Sequence, residues 1–268
     1  MEHPQHLTGG PDSKTTLPAY RKLDSKLSRH KIHIVVKAAK ALKRRILMKM
    51  LNVLFVLVAF MLGVNSAAWA QDKAESSVKQ VQLPQPQMEI GIPLMKALML
   101  RQTNRAFDVR ALSPQELSNL LWAADGVNRP SSGKRTAPTA MNCQEIDVYV
   151  SKADGLYRYN AQNNSLELIS PKDIRELTGS QPFVKTAPVN LILVADWSKM
   201  PKGNDDSRTI YTAMDAGYVS QNIYLYCASQ GLATVVRGNV NKDILAKAMN
   251  LKESQKIIVA QTVGYPVK

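Results

Sequence analysis

Apolar and polar positions follow different rhythms in different parts of this chain, and each rhythm predicts a different element. Residues 1–47 show no periodicity. Residues 32–36 are their one short apolar run, so no packed core is expected there. Residues 53–64 are an unbroken stretch without a polar side chain, ended by Asn65 and Ser66. Residues 71–91 turn polar, with Pro84 and Pro86, and read as an extended tether. A folded domain is expected from about Pro93. Leu94, Ala97, Leu98 and Leu100 recur at helical spacing. Ser113-Pro114-Gln115-Glu116 is a capping box with proline at the first helical position. It opens a helix through Leu117, Leu120, Leu121 and Ala124, which Gly126 stops.

Alternation then takes over. Residues 145–151 read as a strand, Asp154-Gly155 as a hairpin turn into residues 156–159, and residues 166–169 as a third short strand. Residues 171–177 read as a short helix. Residues 189–195 are nearly all apolar, which predicts a central strand covered on both faces. Residues 199–207 form a polar loop, a candidate lid. The longest helix candidate spans residues 208–230. Its Ala213, Ala216, Gly217, Ser220 and Ala228 are small enough to place it in the core or at a subunit interface, and Gly231 is its stop. Asn241 caps a helix through Leu245 and Met249. Residues 257–263 form the last strand, closed by Gly264-Tyr265-Pro266. Helices and strands mix without a regular βαβ rhythm, so the class is α+β.

Charge changes the picture only after it is divided. The chain has 268 residues and a net charge of +14. Residues 1–70 hold 12 Lys/Arg against 3 Asp/Glu, a balance of +9; residues 71–268 hold 23 against 18, a balance of +5. Most of the basicity lies outside the expected domain, which argues against a nucleic-acid partner. The basic flank, the apolar run and Ala68-Trp69-Ala70 together make a secretory signal over residues 48–70, cleaved after Ala70. The run is shorter than the roughly 20 apolar residues of a spanning helix. The mature protein is therefore expected to be periplasmic or secreted and free of the membrane, with an uncleaved membrane anchor as the alternative. Translation would then start at Met48 or Met50, leaving residues 1–47 as a disordered or non-native extension. Arg44-Arg45 also resembles a twin-arginine signal, so both export routes stay open. The organisation is extension 1–47, signal 48–70, linker 71–91 and domain 92–268.

The chemistry-bearing residues are few. His3, His6, His30 and His33 all precede the signal, and there is no G-x-S-x-G, P-loop or H-E-x-x-H. Cys143 and Cys227 form no metal-ligand pattern; they are open to one disulfide or two free thiols. Such a domain lacks the set for hydrolysis, whereas a bound organic cofactor needs no such set. Arg101, Thr103 and Arg105 bring forked donors and a hydroxyl to a helix end, as phosphate recognition requires; a solvated helix end is the plain alternative. Residues 137–145, Ala-Pro-Thr-Ala-Met-Asn-Cys-Gln-Glu, place neutral donors and acceptors at the lip of a sheet. That suits a flat, polar-edged heterocycle, or is an ordinary turn. Residues 231–238 are small enough for backbone amides to approach a ring face, or form a plain buried strand.

In chain order, Arg101-x-Thr103-x-Arg105, Leu112-Ser113 with Leu121, Pro138-Thr139-x-x-Asn142-x-Gln144, Met214-Asp215-Ala216-Gly217 with Gln221-Asn222, Gly231-Leu232 and Val263-Gly264-Tyr265-Pro266 resemble the nitroreductase family of FMN proteins. The resemblance spans residues 92–268. It implies a three-layer α+β sandwich, with a mostly antiparallel central sheet flanked by helices. It further implies an intertwined homodimer with FMN at the subunit interface. By that resemblance Arg101, Gln102, Thr103 and Arg105 would hold the phosphate and ribityl end. Pro138, Thr139, Ala140 and Asn142 would line the isoalloxazine from the other subunit, with Gln144 a further contact. Val235, Val236, Arg237 and Gly238 would pass over the flavin, a backbone N–H of Arg237 or Gly238 near N5. Two departures stand out. Arg237 sits where the family often has an acid, and a cation there would raise the flavin potential. Lys268 is the one candidate for the basic residues that follow the family's final turn. The implied function is an exported FMN-dependent oxidoreductase. It would move hydride or electrons from a small reduced donor to a nitroaromatic, quinone or other conjugated electrophile. NAD(P)H is scarce outside the cytoplasm, so that donor is left open. A dehydrogenase of an exported substrate and a flavin scavenger without turnover are the alternatives.

Overall fold

The computed structural model describes residues 79–267 together with Lys43, Arg45, Leu47, Met48 and Met50. Those five N-terminal positions are helical and exposed. Apart from Met48 and Met50, the expected secretory signal, its cleavage after Ala70 and the phosphate candidate Lys268 lie outside the described residues. The chain divides into units Met1–Ser76 and Ser77–Lys268, and the fold that follows is that of the second.

Its frame is a seven-stranded sheet in the order β1-β6-β5-β4-β7-β9-β8. The strands are β1 (Gln80–Gln82), β4 (Ile146–Lys152), β5 (Gly155–Asn160), β6 (Ser165–Ser170), β7 (Val189–Asp196), β8 (Ala233–Arg237) and β9 (Gln255–Gly264). Every neighbouring pair runs antiparallel. A separate small hairpin joins β2 (Val127–Arg129) to β3 (Lys134–Arg135); no alternation announced it, because it holds no apolar residue beyond Val127.

Apolar alternation along the central strands creates two cores, one on each face. One face of β7 carries Val189, Leu191, Leu193 and Ala195 against helices α2 (Pro114–Asp125) and α3 (Asp205–Gln230). The other carries Ile192 and Val194 against Leu245 and Met249, in and just after α4 (Lys242–Ala248). A strand with fully buried residues on both faces can sit only in the middle layer, as the apolar run of residues 189–195 required. The architecture is therefore the α+β sandwich of layered helix, sheet and helix. The short helix α1 (Leu94–Leu100) packs on α3.

Capping chemistry sets the helix ends. Ser113 accepts from Glu116 N and the Glu116 carboxylate accepts from Ser113 N, the reciprocal box expected. Helix α3 begins earlier than its apolar pattern suggested, because Asn204 caps it through Asp206 N. It ends at Gly231, whose φ of 69° is the left-handed stop. Three expectations need correction. The residues expected as a tether reach into the fold: β1 pairs with β6, and Leu83 is buried. Pro84 O accepts from Ser118 Oγ and Asn164 Nδ2, so hydrogen bonds together with the buried Leu83 hold this segment. Residues 171–177 form only a 3₁₀ turn, Arg175–Thr178. The hairpin turn lies at Ala153 and Asp154, with Gly155 already paired to Lys152.

Candidate functional site

Two clusters of the expected site residues lie on different parts of α3. The first gathers around Tyr224. As α1 ends, Arg101 N donates to Ala97 O and the chain leaves the helix extended. Arg101 then lays its guanidinium over the Tyr224 ring, 5.4 Å from the centroid. Two residues on, Thr103 Oγ1 lies 3.1 Å from the Tyr224 hydroxyl. From the sheet side, Val236 N donates to the same hydroxyl at 3.1 Å. One phenol thus ties α3, the arginine segment and strand β8 together. Asn104 N adds a backbone bond to Thr234 O at 3.0 Å. Arg105, Val235, Val236, Arg237 and Gly238 border one cleft, and Gln102 borders the next with Tyr224 and Thr234. Arg105 and Thr103 are exposed, and among the described residues no carboxylate pairs with the Arg105 guanidinium. A Cβ placed on Gly238 would meet nothing within 4 Å, so the end of β8 has open space over its backbone.

Arg237 departs from expectation. Strand alternation turns it to the face opposite Thr234 and Val236. There it is 6% exposed and donates to Thr178 O, Asn190 Oδ1 and Thr262 Oγ1. Burial pulls its pKa down to about 10. A Cβ at Gly179 would collide with this guanidinium. The side chain is a strut between β8, β9 and β7; only its Nε remains without a partner.

The second cluster is the turn before β4. Thr139 Oγ1 accepts from Gln144 N at 3.0 Å and closes the loop on itself. Met141, Asn142 and Gln144 have φ of 52°, 54° and 48°, left-handed values that only a well-determined setting sustains in non-glycine residues. Pro138, Met141 and Asn142 are exposed at its rim. Gln144 Nε2 does not face outward; it donates to Gly133 O at 3.1 Å. Below the rim, Ala140 N donates to Asp215 Oδ2 of α3 at 2.8 Å. Glu145 is fully buried beside Asp215, and burial followed by that carboxyl raises its pKa to about 7. Burial likewise raises Asp125 to about 7, against the opposing pull of its ion-pair partner Arg135. Cys143 and Cys227 are free thiols, which settles the alternative left open by their number.

The structure thus brings Arg101, Thr103, Arg105 and the β8 segment together, and holds Thr139, Ala140, Asn142 and Gln144 as a second, separate group. Sequence reasoning missed Tyr224, Glu145 and the anchoring role of Asp215. Neither cluster offers a nucleophile hydrogen-bonded to a base.

The nitroreductase family profile matches residues 98–265. A protein assigned as a nitroreductase in Methanocaldococcus jannaschii is 30% identical over 182 residues, which is 62% of this chain and 91% of that relative. A crystal structure of a protein assigned likewise, from Ralstonia eutropha, is 44% identical; the match covers 72% of this chain and 92% of that one, with a TM-score of 0.68. A chain of the E. coli microcin synthetase McbBCD complex shares the fold at 19% identity and a TM-score of 0.56, over 74% of this chain and 82% of that one. The layered fold, the ordered motifs and these matches have one conclusion: the chain belongs to the nitroreductase family and is an oxidoreductase of that type.

Proposed function

We propose that the protein binds FMN and uses it to pass hydride or electrons from a small reduced donor to a conjugated electrophile such as a nitroaromatic or quinone. The observation that carries this reading is the Tyr224 junction. It holds Arg101 and the Thr103 hydroxyl beside strand β8, whose end shares a cleft with Arg105, so a phosphate-bearing ring compound would meet forked cations at one end and backbone at the other. FMN supplies the redox chemistry when bound, and the chain's residues bind and orient it. Arg101 and Arg105 would hold the phosphate. The amide-rich rim of Thr139, Ala140 and Asn142 offers neutral partners to a polar ring edge. These roles need no histidine.

Within one chain the rim and the arginine cluster anchor nine residues apart on α3, at Asp215 and Tyr224, about 13 Å along the axis. A second copy can present its rim to the first copy's arginines. The exposed face of α3 supports such pairing. Ile210, Ala213, Met214, Gly217 and Tyr218 recur at helical spacing and lie open. We therefore read the working form as a homodimer with flavin between subunits. Export through residues 48–70 belongs to the same proposal; amino-terminal sequencing of the secreted protein should begin at Gln71.

The test is spectroscopic. The purified protein should carry, or take up, a flavin with visible absorbance, and a reductant should bleach it reversibly. A colourless protein that ignores added FMN defeats the proposal.

A further inference from the structure

We infer that the chain has a second small-molecule site, apart from both clusters above, which takes a small monocarboxylic acid with an apolar body. A cavity of about 270 Å³ opens where the first turn of α2 meets the end of β4 and the start of β7. Its floor is Leu83, Leu117, Leu166 and Val189, all buried members of the core. None of its lining residues belongs to the Tyr224 junction or to the turn at residues 139–144. That turn precedes β4 and Lys152 closes it, so the strand rise sets Gln144 and Lys152 about 25 Å apart.

Packing explains why this space suits a ligand. Protein cores fill to the density of organic crystals, with few voids larger than a water molecule. An apolar cavity of about 150 Å³ stays dry and accepts benzene. The larger volume here has room for a ring with a short chain, and its four floor side chains offer water no hydrogen bond. A neutral hydrocarbon would satisfy that floor, but the rim adds charge.

Arg175, Lys152 and Asp154 line the same cavity. The Arg175 guanidinium is already committed. Its Nε and Nη2 donate to Asp173, and its Nη1 donates to Ala187 O at 3.0 Å. It is a fixed wall. Lys152 is the adaptable group. Its ammonium lies 4.8 Å from the Tyr157 ring centroid, and its ion pair is with Asp154 at 3.2 Å. The Asp154 side chain, on the turn into β5, is 63% exposed, so that pair is weak and exchangeable. A ligand carboxylate can take the place of Asp154 on Lys152, and Asp154 returns to water. The apolar body then fills the floor. A second carboxylate on the ligand would find no uncommitted cation in the lining.

The experiment titrates 3-phenylpropionate into the full chain by calorimetry, beside 3-phenylpropionamide, phenethylamine and acetate. The acid should bind saturably. The neutral amide and the cationic amine should bind at least several-fold more weakly, and acetate, which has no apolar body, should not bind detectably. Lys152→Gln should weaken the acid several-fold and leave the amide unchanged. Ala111→Phe, a change at the exposed lip of the cavity, should block acid and amide alike. Saturating FMN should leave acid binding unaltered. Absence of saturable acid binding overturns the inference, as does amide or amine binding equal to that of the acid. Full affinity in Ala111→Phe, or displacement by FMN, puts the acid elsewhere and overturns it too. Affinity that falls as protein concentration rises means that a second copy covers the mouth, with the same result. Should either variant fail to fold, the contrast of acid with amide on the unaltered chain decides. The site stands apart from the function proposed above: if FMN never binds, that function fails and the acid titration is judged as before.

Discussion

The arginine cluster and the amide turn both lean on α3, but they are stabilised in opposite ways. Around Tyr224 the hydrogen bonds are neutral and relaxed: one phenol, a threonine hydroxyl and a strand N–H at ordinary distances, with the Arg101 guanidinium over the ring. Its charges, Arg101 and Arg105, stand at the edge of the solvent. Beneath the turn the acids are inside and the backbone is strained, with Glu145 and Asp215 buried next to three left-handed residues. A rigid frame with cations at its edge suits capture of a charged group. A strained loop over buried acids suits exact placement of neutral amides.

Breaking the cationic side should have the largest effect on ligand. Arg101→Ala and Arg105→Ala should each weaken FMN by about 1–3 kcal/mol, the range for a lost charged hydrogen bond. The loss should shrink as salt rises, since exposed charges are screened. Equilibrium titrations at two ionic strengths read both effects, and unchanged affinity in both variants would place the phosphate elsewhere. Asn142→Ala, on the neutral side, should show a loss that salt does not change.

Buried acids predict a pH profile of the opposite region. Glu145 and Asp125 titrate near 7 when folded, above their usual 4.5 and 3.8. Between those values the native state keeps protons that the unfolded chain has released. Stability should therefore be greatest at the acid end of that window, fall as pH rises toward about 7, and level off above it. Melting temperatures across the window check the sign, and Glu145→Gln should flatten part of the slope.

The Tyr224 hydroxyl gives a smaller, structural effect. Tyr224→Phe leaves Val236 N–H without its partner, at a cost of about 1 kcal/mol or somewhat more in chemical denaturation. Smallest of all is Gln144→Ala. Its amide bond to Gly133 O is only partly buried, so less than about 1 kcal/mol is expected, along with near-normal FMN affinity.

The same contrast explains what could be read from the sequence. The capping box at Ser113, the stop at Gly231 and the buried strand over residues 189–195 are local, and their chemistry is complete within a few residues. That Arg101, Thr103 and Arg105 follow directly on a helix end was legible for the same reason. Tyr224 was not, because its role exists only where residues 103, 224 and 236 meet. Glu145 looked like the polar end of a turn until α3 covered it. Arg237 could have been placed from strand alternation alone: it shares a face with Val235, away from Thr234 and Val236. Residues 80–82 gave no rhythm because an exposed edge strand need not bury either face.

That edge strand has a practical consequence for handling the molecule. Lys79 O accepts from Leu168 N, and Gln80, Val81 and Gln82 cover the rest of the outermost ladder. Trimming the protein to start at Pro93 would strip this selvage and leave β6 as a raw hem of unpaired peptide groups, ready to stitch onto another molecule. A preparation cut there should clump where one beginning ahead of Lys79 stays dispersed.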